Sequence, residues 1–277
     1  MNPMKKAIII ILIIFLSCTG ILSQTIKNGL TAERKYSIIT SDTLLACMIS
    51  SLLPKERYSI EAILPPDQCP GHYDIKIKDI EKIKHSELIV SFKGMPFLND
   101  SAFKEKIRIL VDSKGHNWMS PDYYEQGLKM ISDMLIKHFK HDAPIIERLK
   151  NGEIKRLKEV STELKRLIKD RGLSGKRVIA SSMQKEPLQW MGFKVVAEYS
   201  RQESLSTKDI VRLTKIGKKE QVILVVDNLQ SGPDTGKSIA EAIGVPHAVL
   251  TNFPSEKGYT ETLKENVLTI INALNKR

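Results

Sequence analysis

Between Ala143 and Asp170 the chain carries Ile146, Leu149, Ile154, Leu157, Val160, Leu164 and Leu167 at spacings of three and four with one gap of five, and Gly172 follows as a natural stop. That period is helical. Few globular helices run so long, and one placed mid-chain suits a strut between two lobes. Its lysines and arginines keep company with acids, as in "GEIKRLKEVSTELKRLIKDRG", the pattern of a solvated helix face. The chain is formally +11 over 277 residues, yet aromatics make up only 6%. A nucleic-acid groove would show basic clusters with interleaved aromatics, so no nucleic-acid partner is expected. A hydrophobic content of 42% is enough for one large or two medium cores.

On both sides of the strut, short apolar runs alternate with amphipathic stretches. "KYSIIT", "RYSIEAIL", "ELIVSF" and "KIRILVD" read as strands before it, with "SDTLLACMISSLL" and "KIKDIEKIKHS" as helices between them. After it, "KRVIASS", "KVVAEYS", "QVILVVDN" and "PHAVLTNF" read as strands, separated by "PLQWMGF", "STKDIVRLTKIGKKE" and "TGKSIAEAIG", with "YTETLKENVLTIINALNK" as a closing helix. Strands and helices taking turns predict an α/β fold: two lobes, each a parallel or mixed sheet covered by helices, joined by one long helix, with a ligand cleft between them. The expected organisation is 1–23 signal peptide, 24–142 N-terminal lobe, 143–172 linking helix and 173–277 C-terminal lobe.

The leader follows from Lys5 and Lys6 ahead of the unbroken apolar run Ala7–Leu16 and the small or polar Ser17, Cys18, Thr19 and Gly20. The run is too short for a permanent membrane span, so the mature protein is expected to be exported. Removing 1–23 takes away two lysines and no acid, so the basic balance belongs to the mature part. "FLSC" resembles a bacterial lipobox, which would end the leader at Ser17 and place a lipid anchor on Cys18; cleavage after Ser23 is the alternative. Beyond the leader only Cys47 and Cys69 remain. An oxidising compartment would permit a disulfide between them, while the apolar run around Cys47 also suits a buried thiol.

Loops at strand ends hold the residues that could do chemistry: Cys69 and His72 in "DQCPGHYDIK", His116 in "HNWMSP", Ser181 to Gln184, Arg201 to Glu203, Asp227 to Gln230, and Asn252. Imidazoles placed where strand-to-helix connections open toward a crevice suit a borderline cation such as zinc. His85, His138, His141 and His247 fall on charged helix faces or at a strand start and are weaker candidates. "SGPDTGKS" fails the phosphate-loop spacing, since only three residues separate Gly232 from Gly236. No G-x-S-x-G elbow occurs.

Taken together, "GHYDIKIKDIEKIKHSELIVSFKG", "HNWMSP", the long helix, the second α/β lobe and the ending "YTETLKENVLTIINAL" resemble the zinc- and manganese-type substrate-binding proteins of ABC importers. The resemblance covers most of the mature chain. It implies a metal between the lobes, held by a His after the second strand, a His in an H-x-W motif, a third His or Glu early in the second lobe and a late Asp or Glu. His72 and His116 match the first two positions. The third falls on Ser181 or Ser182 and the fourth on Asn252, so the expected donors are absent there. Cys69, Asp227 and Glu203 are the replacements considered, with Met183 or Gln184 as weaker contacts.

The resemblance thus implies Zn²⁺, or next Mn²⁺, as cargo, a permease and ATPase as partners, a monomer, and a location in the periplasm or on the outer face of the cytoplasmic membrane. It implies no catalysis. Besides a surface adhesin or interaction protein, which export and tethering would serve equally well, two other functions remain open on the residues alone. One is the same architecture holding a non-metal or chelated ligand through Ser181, Ser182, Arg201 and Asn252. The other is a secreted zinc-dependent enzyme, for which Glu203 would be the base.

Overall fold

The computed structural model describes residues 34–98 and 108–275. The chain divides into two units, Met1–Lys35 and Tyr36–Arg277. Only Arg34 and Lys35 of the first are described, so the leader and Cys18 lie outside the described residues. Every element that follows belongs to the second unit.

Its first half builds β1 (Tyr36–Asp42), α1 (Thr43–Leu52), β2 (Tyr58–Leu64), α2 (Ile77–His85), β3 (Leu88–Phe92) and β4 (Arg108–Val111). All strand pairs are parallel and the order is β2-β1-β3-β4. Then come α3 (Pro121–His138) and the strut α4 (Ala143–Asp170). The second half repeats the scheme with β5 (Arg177–Ser181), α5 (Lys185–Trp190), β6 (Lys194–Tyr199), α6 (Thr207–Lys219), β7 (Leu224–Asn228), α7 (Lys237–Ile243), β8 (His247–Leu250) and α8 (Tyr259–Asn275). Its sheet is again parallel, in the order β6-β5-β7-β8. Parallel strands need helical crossovers, and in both lobes the strand order turns back on itself between the first and third strands, while every strand stays parallel. Ligand crevices form outside the carboxyl ends of strands at such points.

Local chemistry explains the element boundaries. Asp42 ends β1 and caps α1, its carboxylate accepting from the Leu44 and Leu45 amides at 3.0 Å each. Ser206 and Asp209 close a reciprocal capping box on α6. Strand β1 is buried from Ile38 onward, and the central strands β3, β5 and β7 are buried along nearly all their length, as a sheet covered on both faces requires. The strut turns Ile146, Leu157, Leu164 and Ile168 inward and packs on α1, α3 and α8. Burying each such side chain contributes about 1.5–3 kcal/mol. Cys47 and Cys69 are both free, so the disulfide open on sequence grounds is not formed. Cys47 is half-buried and packs beside the core, and burial pushes its thiol up.

Candidate metal centre

The loop carrying His116 is held from below by its neighbour Trp118. The indole is buried, meets Phe92 edge-on at 5.0 Å, and lies over Gly127 of α3, where a Cβ would stand 2.6 Å from Trp118 Cζ3. Only a glycine lets the ring sit so close to the helix. Lys114 and Gly115, both with positive φ, turn the chain into this position, and the Asn117 side chain accepts from the Met119 amide at 2.8 Å. The His116 ring stacks on Tyr123, centroids 3.9 Å apart at 12°.

Across from it stands a residue that sequence reasoning missed. Glu186, in the first turn of α5, places Oε1 2.8 Å from His116 Nδ1 and accepts from the Asn117 amide through Oε2 at 2.6 Å. Next to this pair is a set of amides. The Asn117 Nδ2 donates to the Met183 carbonyl at 2.5 Å and to Asn252 Oδ1 at 2.9 Å. Gln184 Nε2 donates to Asn252 Oδ1 at 2.8 Å and to Asn228 Oδ1 at 2.9 Å. Gln230 donates to the Pro66 carbonyl and to Thr251 Oγ1, and accepts from the Asn252 amide at 3.1 Å. Residues from the carboxyl ends of β2, β4, β5, β7 and β8 thereby meet at the junction of the two lobes. Gln184 is fully buried, and its Oε1 has no hydrogen-bond partner among the described residues.

The expected donors are dispersed around this junction. His72 ends the short 3₁₀ turn Pro70–His72 and is exposed. That turn touches the second lobe, since a Cβ on Gly71 would stand 3.1 Å from Arg201 Nη1 and 3.8 Å from Cys69 Sγ. Cys69 is half-buried. Glu203 is exposed in the turn Gln202–Ser204, just after Arg201.

Asp227 corrects the expectation of a cleft-facing carboxylate. It is fully buried inside the second lobe, with Oδ1 accepting from the Tyr199 hydroxyl at 2.6 Å and Oδ2 taking the Gly236 amide at 2.8 Å and His247 Nε2 at 2.7 Å. Burial and the Asp227 carboxylate push the Tyr199 hydroxyl far up. Asn228, the next residue along the same strand, is the one that reaches the junction. Among the described residues no group of three or more His, Cys, Asp and Glu side chains is placed to hold a metal ion. A cavity of about 1080 Å³ opens along β2 between α1, α2 and α4, and its lining includes neither His72, His116 nor Glu186. The strand-end chemistry, rather than that volume, marks the site.

Two parallel sheets of like order bring their strand-end loops together at one polar junction, where open α/β sheets bind ligands. Residues 38–273 match the family described as zinc-uptake complex component A, periplasmic (ZnuA). The chain belongs to that family. A crystal structure of ZnuA matches with a TM-score of 0.73 at 15% identity, over 87% of this chain and 99% of that one. The Mn-bound periplasmic metal binding protein from Candidatus Liberibacter asiaticus gives 0.72 at 13%, over 87% and 100%. The substrate-binding protein FpvC from P. aeruginosa, in complex with Ni²⁺, gives 0.69 at 15%, over 88% and 98%. A curated relative, an uncharacterized protein of Rickettsia prowazekii (strain Madrid E), is 23% identical over 182 residues, 56% of this chain, and the chain spans 60% of that relative's length. No helix among the described residues is long and apolar enough to cross a membrane.

Proposed function

We propose that the protein is the extracytoplasmic binding component of an ABC importer, capturing a divalent metal at the junction of its lobes and delivering it to a permease and ATPase. Zinc is the first choice of cargo and manganese the second. The observation that carries the reading is the placement of His116, locked by Trp118 and Tyr123 on a first-lobe loop, against the second-lobe strand ends. His72, on a turn in reach of second-lobe Arg201, is the second imidazole, Cys69 the third donor and Glu203 the second-lobe candidate. The division into leader 1–23, lobes 24–142 and 173–277 and linking helix 143–172, the lipid anchor at Cys18 and the monomeric state are parts of the same proposal.

Isothermal titration of the leaderless protein with Zn²⁺ and Mn²⁺ tests it. Binding that weakens by at least about tenfold in His72→Ala and in His116→Ala is expected for lost metal ligands. Absence of binding, or binding indifferent to both substitutions, would sink the reading.

A second reading is favoured by the chemistry of the second-lobe wall, where Gln184, Asn228 and Asn252 present neutral amides in place of carboxylates. A divalent ion resting against those amides alone would keep its charge uncompensated, which is costly away from water. A metal arriving with its own anionic donors avoids that cost. Native mass spectrometry of the protein isolated without chelators separates the two, by a bound mass equal to the metal or larger than it.

A further inference from the structure

The cavity of about 1080 Å³ beside α1 and α2 is built against the edge of a strand. We propose that it is a docking groove for an acidic, extended peptide segment of another protein, which adds itself to β2 as a fifth strand of the first sheet. The groove lies apart from the lobe junction, since neither His72, His116 nor Glu186 lines it, and nothing in it depends on a metal.

All five residues from Ile60 to Leu64 line the cavity. Successive side chains of a strand point to opposite faces, so a cavity that meets every one of them in turn faces the strand edge-on. Along a strand in a parallel ladder, the backbone groups of successive residues point alternately to one neighbour and the other. The Arg57 carbonyl accepts from the Tyr36 amide at 2.8 Å, and the Glu61 carbonyl accepts from Thr40 Oγ1 at 3.3 Å. Odd-numbered residues of β2 thus turn to β1. The amides and carbonyls of Ile60 and Ala62 point the other way, where β2 has no second neighbour among the described residues. The open stretch is short, because the Tyr58 amide is taken by the Pro54 carbonyl at 3.2 Å and Pro65 and Pro66 follow at the far end. Free donors and acceptors in register on a sheet edge are what peptide recognition by strand addition uses.

Charge and geometry together select the occupant. Lys55, Lys78 and Arg148 are exposed at the rim, and no ion pair is found for them among the described residues. The acids of the lining are mostly engaged. Glu61 pairs with Lys82 at 2.7 Å, and Asp79 accepts from the Tyr73 hydroxyl at 2.6 Å and the Lys76 amide at 3.0 Å. Burial raises the Glu153 carboxyl against the pull of Arg156, which leaves Glu256 as the exposed acid of the rim. A net positive rim favours acidic side chains. Free phosphate or a nucleic-acid backbone would satisfy the cations and leave the Ile60 and Ala62 carbonyls without donors, whereas peptide amides supply them. Ile60, Ala62 and Tyr73 add apolar surface between the charges, which suits β-branched residues alternating with the acids.

The leaderless protein is titrated, without metal, against a set of fluorescein-labelled hexapeptides that alternate Asp or Glu with Val, Ile, Thr or Tyr, and binding is read by fluorescence anisotropy. Companion sets carry Lys in place of the acids, N-methyl groups on the internal amides, or the sequence Tyr58–Leu64 of this chain. Two variants are compared with wild type. Ala62→Pro removes an outward amide, as an edge strand tolerates, and Lys55→Glu with Lys78→Glu reverses two exposed charges. Thermal melting establishes that they are folded.

The expected result is saturable binding of acidic peptides that weakens roughly tenfold or more in the charge-reversed variant and roughly tenfold in Ala62→Pro, with no binding of the lysine or N-methylated sets. Binding of no acidic peptide, equal binding of the lysine set, or binding indifferent to N-methylation and to Ala62→Pro overturns the inference. Full displacement by inorganic phosphate overturns it in favour of a small-anion site, and tighter binding of the Tyr58–Leu64 peptide overturns it in favour of a second copy of the chain. If Ala62→Pro fails to fold, the N-methylated set and the charge reversal decide. Failure of the protein to bind Zn²⁺ sinks the metal reading and leaves this one standing.

Discussion

Replacing Asp227 with Ala should unfold the second lobe more readily and leave metal capture almost untouched. The carboxylate is fully buried and takes three donors, the Tyr199 hydroxyl, the Gly236 amide and His247 Nε2. Tyr199 keeps a partner in the Val226 carbonyl at 3.0 Å, but the Gly236 amide and the imidazole lose theirs. Each buried donor left unmatched costs about 1–3 kcal/mol, so the expected loss is roughly 2–6 kcal/mol. For a chain of this size about 1 kcal/mol shifts Tm by ~2–4 °C, which puts the change in the range of roughly 4–24 °C. Thermal and urea unfolding read the stability, and Zn²⁺ titration of the folded variant reads the site. The same network makes a sharper forecast. A Cβ on Gly236 would clash with Tyr199 Oη, so Gly236→Ala and Tyr199→Phe should each destabilise and their combination should cost less than the sum. Loss of Zn²⁺ binding in Asp227→Ala with stability preserved would refute the argument and return Asp227 to the ligand set.

Gly127→Ala should push Trp118 off α3, because the added methyl also meets Met48 Cε at 2.8 Å; overpacking of about 1–3 kcal/mol exceeds the ~1 kcal/mol of helix propensity gained, and Zn²⁺ affinity should fall with the displaced His116 loop. Burial raises the Asp42 carboxyl, against the pull of Ser41 and the Leu45 and Leu44 amides. Its contribution to stability is therefore complete below the unfolded value of about 3.9 and is lost as pH rises through the folded one. Asp42→Asn, which can still cap α1, should accordingly gain on wild type as pH rises above the unfolded value; a difference that moves the other way in pH-dependent urea unfolding would contradict this. Burial also raises the Cys47 thiol, so iodoacetamide should modify Cys47 more slowly in the folded chain than in urea, as peptide mass mapping would reveal.

The architecture was legible because parallel sheets bury both faces of their strands, which leaves runs such as "LIVSF" and "VILVVD" continuous and unmistakable. The repetition of one strand order in both lobes was not, since topology can recur without any residue recurring. At the site the difficulty was parity. "QVILVVDN" reads as a strand, and β7 does run through Asn228, but successive strand residues point to opposite sides. Asp227 therefore turns toward Tyr199 and His247 while Asn228 turns to the junction. Glu186 was hidden differently. It sits one residue ahead of "PLQWMGF", the run that reads as a helix, whereas the helix begins at Lys185, and nothing in the pattern tells that this residue faces a histidine seventy positions earlier.

Strand β2 pairs only with β1 among the described residues, so its outer edge lies open along the cavity beside α1 and α2. An open edge is a template on which a second copy can lay a strand. Here the rim carries Lys55, Lys78 and Arg148, for which no ion pair is found among the described residues, and the strand runs out into Pro65 and Pro66. Like charges brought edge to edge repel, and prolines offer no amide to the ladder. The basic surplus thus sets copies of the chain against pairing at this edge.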